Sequence, residues 1–197
     1  MIIMPSNNVG EVVKNLFKDF PDRTGQLFSP DGWRPPINQY ALDNGAFKQF
    51  DETKYFAMLD KSKSYPKPLW LVAPDVVGCA SRTMALWNYY LPRLKEYDYP
   101  LAFVAQDGCE PEDVPDCHCV FVGGNDPWKI DNFERFVGVR EWTHVGRVNS
   151  IARLERCERA GVDSIDGTGW MLARDAKFYG LMEHFYGKKQ GGLFDGV

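Results

Sequence analysis

Short apolar runs alternate along this chain with longer stretches in which apolar residues return every third or fourth position. The runs fall at residues 2–5, 26–29, 39–43, 69–75, 101–106, 120–124, 144–148 and 164–168. Several are apolar at consecutive positions, as in Leu69-Trp70-Leu71-Val72-Ala73. That pattern suits strands covered on both faces, whereas a half-exposed strand would alternate. Residues 9–20, 52–64, 81–97, 129–137, 150–160 and 172–186 carry the helical repeat instead. The clearest of these is 150–160: Asn149 stands ready to cap its start, Ile151, Leu154 and Cys157 share a face, and Gly161 suits the left-handed position after its end. Strands alternating with helices imply parallel pairing through crossovers. Eight such units predict a small closed (β/α)8 barrel, with an open flavodoxin-like sheet as the alternative.

Length sharpens this picture. The 197 residues lie at the lower end for a barrel, roughly 200 residues being the usual minimum. They fill one domain, 1–197, with short loops and one or two helices missing. Pro30, Pro35 and Pro36 place that gap between Ser29 and Gln39. The hydrophobic fraction of 44% supports one sizeable core. The apolar runs are all far shorter than the roughly 20 residues a membrane span needs. Five cysteines and no basic leader or cleavage site near residues 1–6 point to reduced thiols and a cytoplasmic protein. A formal net charge of −4 excludes a global basic footprint, so contact with nucleic acid would have to use a local face.

Candidate chemistry sits where the runs end. Asp43, Asp75, Gln106, Gly123-Gly124, Arg147 and Asp166 each close one. Any single one reads equally well as a turn former or a helix cap. Taken together, at the carboxyl ends of successive barrel strands, they converge on one mouth. Cys117-His118-Cys119 lacks the second cysteine pair that structural zinc usually needs, so no metal or cofactor is expected. His144 is either an acid–base group or a satisfied core histidine. Trp170 is open to stacking on an extruded base or to the core, and Lys188 and Lys189 suggest a basic arm or a frayed terminus.

The set, in this order, resembles the tRNA-guanine transglycosylases and their DNA 7-deazaguanine transglycosylase relatives. Leu42-Asp43-Asn44-Gly45-Ala46-Phe47 is similar to the family's Asp-Ser-Gly-Gly-Phe segment, matching at Asp43 and Gly45 and departing at Asn44 and Ala46. Gly161-Val162-Asp163-Ser164-Ile165-Asp166 resembles Gly-Val-Asp-x-Phe-Asp, whose last aspartate is the nucleophile. The resemblance spans roughly residues 40–168. It implies a (β/α) barrel, Asp166 as nucleophile, Asp43 as the second catalytic carboxyl, and Asp75, Gln106 and the Gly123-Gly124 turn as the base-binding groups. Arg147, by its place at a strand end, is a candidate for contact with a phosphate or for pairing with an acid, the phosphate being favoured.

The chemistry is consistent with these residue types. Cleaving an N-glycosidic bond through an oxocarbenium-like transition state calls for one ionised carboxylate at C1′ and one acid that manages the protons of the base. Asp75 could accept from a guanine-type N1–H and amino group while Gln106 and Gly124 donate to its carbonyl oxygen. The expected function is therefore base exchange in a nucleic acid. No cysteine follows Cys157 to build the zinc subdomain of the tRNA enzymes, so DNA is favoured over tRNA. The partners implied are that nucleic acid and a free purine or 7-deazapurine base, no membrane, and a homodimer as an open alternative. Hydrolytic removal of a modified base, a barrel enzyme acting on a phosphate ligand, and a non-catalytic nucleotide-binding barrel remain as other readings.

Overall fold

The computed structural model describes residues 1–7, 10–172 and 175–187. Its eight strands are β1 (Ile2–Met4), β2 (Gln26–Phe28), β3 (Tyr40–Leu42), β4 (Leu71–Val72), β5 (Leu101–Ala105), β6 (Cys119–Val122), β7 (Trp142–Val145) and β8 (Ser164–Asp166). All pair in parallel, in the order β1-β8-β7-β6-β5-β4-β3-β2. The ring closes just ahead of β2. There the Ile3 N–H donates to the Arg23 carbonyl at 2.9 Å and the Gly25 N–H donates to the Ile3 carbonyl at 3.1 Å. The protein is thus a small, nearly closed (β/α)8 barrel.

Continuous apolar runs are what this architecture requires, because both faces of every strand are covered. Along β5, Ala102 and Val104 join Met4, Ala41, Trp70, Val72 and Cys119 inside the barrel. Phe103 and Ala105 face the helices, where Phe103 meets Trp87 edge-on at 5.5 Å. Those helices are α1 (Glu11–Asp19), α2 (Glu52–Ser62), α3 (Ala80–Lys95), α4 (Asp126–Asn132), α5 (Ile151–Ala160) and α6 (Ala176–Met182). Between β2 and β3 the proline-rich segment forms only a single 3-10 turn, Pro30–Gly32, as its composition predicts.

Helix starts differ from expectation in several places, the largest at α6, which begins at Ala176 where 172 was expected. Helix α5 is capped by Ser150, whose hydroxyl accepts from the Arg153 N–H. Asn149 instead spends its side-chain carbonyl on the Gly169 N–H at 3.1 Å, tying the loop after β7 to the loop after β8. Helix α4 begins at Asp126, three residues before Lys129. Pro127 in the first turn gives up no hydrogen bond, since the first N–H groups of a helix have no intrahelical acceptor. Gly161 takes the left-handed position after α5, with φ 83°, as the sequence requires.

Candidate active site

A cavity of about 750 Å³ opens at the carboxyl ends of the strands. Asp43, Asp75, Gln106, Gly123, Gly124, Arg147 and Asp166 all border it, although 123 positions separate the first from the last. Parallel pairing in register accounts for this, since every strand delivers its last residues to the same rim.

Asp75 is buried at the cavity wall and is held by two side-chain amides. The Asn44 amide donates to Oδ1 at 2.6 Å and the Gln106 amide to Oδ2 at 2.5 Å. Burial pushes its carboxyl above the ordinary range, and the two amide donors pull partly against that. Gln106 in turn accepts from the Gly78 N–H at 2.8 Å and the Gly124 N–H at 2.9 Å. This corrects one expectation: the Gln106 and Gly124 donors do not stand free toward the cavity but are engaged by acceptors of the protein itself. The turn also needs its glycine. Gly124 has φ +73°, and a Cβ there would lie 2.6 Å from the Trp128 ring and from an Asp107 carboxylate oxygen.

Asp43 and Asp166 occupy contrasting environments within the one cavity. Burial raises the Asp43 carboxyl to about 7, reinforced by the negative charges of Asp75 and Asp166, against only local backbone donors at Asn44 and Gly45. Asp166, with its side chain 14% exposed, has a nitrogen within hydrogen-bonding distance of each oxygen. His144 Nε2 lies 3.1 Å from Oδ2, and the Arg147 backbone N–H donates to Oδ1 at 3.2 Å. Arg147 reaches that position with φ +58°, a left-handed conformation that costs energy in a side-chain-bearing residue and tends to be kept where a site needs it.

The Arg147 side chain was expected to meet a phosphate or an acid. In the structure it donates to the Gly124 carbonyl at 2.5 Å, lies 3.7 Å from Asp126, and sits 4.5 Å over the ring of Phe47 at the rim. Trp170 is fully buried in the core beneath the helices, which removes it as a stacking platform. His118 pairs with Glu141 at 2.9 Å and Cys117 donates to the Cys119 carbonyl. All five cysteines are free thiols. Lys188 and Lys189 lie outside the described residues.

Three contributors were undervalued in the sequence. Asn44, noted only as a departure from the family motif, is one of the two amides that hold Asp75. Phe47 covers the Arg147 guanidinium. His144 is fully buried yet touches Asp166. A buried strand that interrupts its apolar run with a histidine was the available signal for the last of these.

Fold and site together define a parallel (β/α)8 barrel whose acid-bearing pocket opens at the carboxyl ends of its strands. No protein-family model matches the chain, and no curated protein matches it in sequence. Among solved structures it is similar to a chain of the tryptophan synthase complex from Pyrococcus furiosus, at 13% identity and a TM-score of 0.48, over 94% of this chain and 98% of that one. A second structure, of the tryptophan synthase a2b2 complex from the same organism, aligns at 11% identity and a TM-score of 0.47, over 94% and 97% of the two chains. The fold assignment rests on the strand order and closure described above. Among the described residues, no helix is long and apolar enough to cross a membrane.

Proposed function

We propose that this protein is an enzyme that exchanges a guanine-type base in a nucleic acid for a 7-deazaguanine-type base, through a covalent aspartyl-glycosyl intermediate. The observation that carries the proposal is the split between two carboxyls in one cavity. Asp43 is raised to about 7, so near neutral pH it both holds and releases a proton. Asp166 is held as an acceptor by two N–H donors. The motif order of the sequence supports the same assignment.

In the first half-reaction an Asp166 oxygen bonds to C1′ as the C1′–N bond of the outgoing base breaks. The bonding pair leaves with the base, and the proton on Asp43 neutralises it. In the second half, the incoming base gives a proton to Asp43 and its nitrogen attacks C1′, expelling the Asp166 carboxylate. Protons and charge balance over the cycle, and Asp43 ends as it began. Base recognition falls to Asp75, whose carboxylate exchanges its amide donors Asn44 and Gln106 for a base N1–H and amino group. The released Gln106 and Gly124 donors turn to the base carbonyl.

The test is incorporation of labelled guanine or a labelled 7-deazaguanine into DNA and into tRNA, assayed side by side and with chelator present. Incorporation into either polymer supports the proposal, and the preferred polymer identifies the substrate. Release of base without incorporation would mean hydrolysis instead of exchange. Turnover only with added Mg²⁺, or no turnover on either polymer, would overturn the reading in favour of phosphate chemistry or plain binding.

A further inference from the structure

Below the acids and amides at its mouth, the described interior of the barrel is lined mainly by apolar side chains, and one line of hydrogen-bonding groups crosses it. Parallel register sets Phe121 beside His144 and His144 beside Ser164 on neighbouring strands. Trp142, two residues before His144 on β7, reaches the same place: its indole N–H donates to Ser164 Oγ at 2.8 Å. Ser164 Oγ lies 2.8 Å from His144 Nδ1, and His144 Nε2 lies 3.1 Å from Asp166 Oδ2. The line therefore runs from the floor of the barrel to the carboxylate at its mouth.

Its direction follows from counting hydrogens. Ser164 Oγ already receives the Trp142 N–H, so its single hydrogen is free to point at His144 Nδ1. That nitrogen is then the bare one, and the proton of the neutral ring sits on Nε2, facing Asp166. The opposite tautomer would aim a lone pair at a carboxylate oxygen. Trp70 at 4.7 Å and Phe121 at 4.5 Å pack against the imidazole, which is wholly buried and has no room to turn. Burial also holds its pKa below the ordinary histidine value, so the ring donates without carrying a charge.

We propose that Trp142, Ser164 and His144 form a donor relay that positions Asp166, presenting its carboxylate to C1′ in one orientation. His144 is a positioning residue in this scheme, and its role rests on the proposed function of Asp166. Together with the Arg147 N–H on Oδ1, the relay fixes the plane of the carboxylate. A neutral donor suits a nucleophile better than a cation would, because it orients the oxygen without neutralising it. Three hydrogen-bonding side chains in sequence among the apolar residues below the mouth, ending on the proposed nucleophile, are hard to account for as packing.

The experiment has two arms. Nitrogen-15 NMR of the unmodified protein near neutral pH should show His144 as the neutral Nε2–H tautomer, and Ser164→Ala should shift it toward a mixture. An Nδ1–H tautomer or a charged ring in the unmodified protein would overturn the relay. In the second arm, single-turnover formation of the covalent adduct is compared in His144→Phe and His144→Gln. His144→Phe should slow it about 100-fold, the loss typical of a misplaced reacting group, with the affinity for free base unchanged. His144→Gln, whose amide N–H reaches toward the same oxygen, should recover to within about tenfold of the unmodified rate. An unmodified rate in His144→Phe, or equal losses in both variants, would contradict the proposal. Should His144→Phe not fold, His144→Gln and the tautomer decide. Should the unmodified protein form no adduct, the function assigned to Asp166 fails, while the tautomer still tests the relay by itself.

Discussion

The raised carboxyl of Asp43 should leave a signature in stability that is independent of any substrate. In the unfolded chain this group titrates near 3.8, and in the folded protein near 7. Between those values the folded state holds a proton that the unfolded state has released. The stabilisation linked to that proton is fully present below about pH 4 and is lost as pH rises through 7. At about 1.4 kcal/mol for each tenfold change in proton affinity, the full difference is about 4 kcal/mol, and access to the cavity's solvent reduces it to about 2–4 kcal/mol. Asp43→Asn cannot ionise, and its side-chain carbonyl still accepts the Asn44 N–H. The variant should match the parent at pH 4 and exceed it by about 2–4 kcal/mol at pH 8. For a chain of this size that is a Tm increase of about 5–15 °C. Thermal unfolding followed by calorimetry across pH 4–8 measures it. A Tm difference that does not change with pH, or an Asn variant less stable at pH 8, would refute the reasoning.

Further outcomes follow from the same geometry. Asp75→Asn turns an amide donor toward the Asn44 and Gln106 donors, so calorimetry should show guanine and 7-cyano-7-deazaguanine binding at least about fivefold more weakly, by about 1–3 kcal/mol, with adenine and uracil poor ligands throughout. Equal binding of all four bases to the parent protein would count against the pocket. Gly124→Ala places a methyl group against Trp128 and Asp107 in a left-handed backbone and should lower stability by more than about 1 kcal/mol in urea unfolding. Arg147→Ala removes the guanidinium that covers Phe47 and should weaken polymer binding and flatten its salt dependence, with free-base affinity unchanged. An unaltered salt slope would remove Arg147 from the polymer-binding face.

Much of the fold was legible because the strands are buried on both sides. Six of the eight apolar runs contain their strand with the excess at the ends, whereas β6 begins one residue ahead of its run, at Cys119, and β7 two residues ahead, at Trp142. Pro5 and Pro74 supply no N–H to a ladder, so β1 and β4 stop short of them. Helix starts were less legible, because Asn149 and Ser150 are both good caps and the choice was made by a loop partner, Gly169, far along the chain. The convergence of strand-end polar residues was readable for the same reason as the fold. Which donor meets which acceptor was not. Gln106 taking the Gly124 N–H, Asn44 holding Asp75 and His144 meeting Asp166 all depend on register between strands, and no local pattern encodes that register.

The central claim is that Asp166 bonds covalently to C1′, and mass spectrometry of the trapped adduct tests it most directly. The protein is incubated with DNA or tRNA, denatured without added base, digested with nuclease and protease, and mapped. The account predicts a residual pentose-phosphate mass on the peptide containing Asp166, absent from Asp166→Asn, which should also lack turnover. A modification on any other residue, or full base exchange by Asp166→Asn, would contradict it.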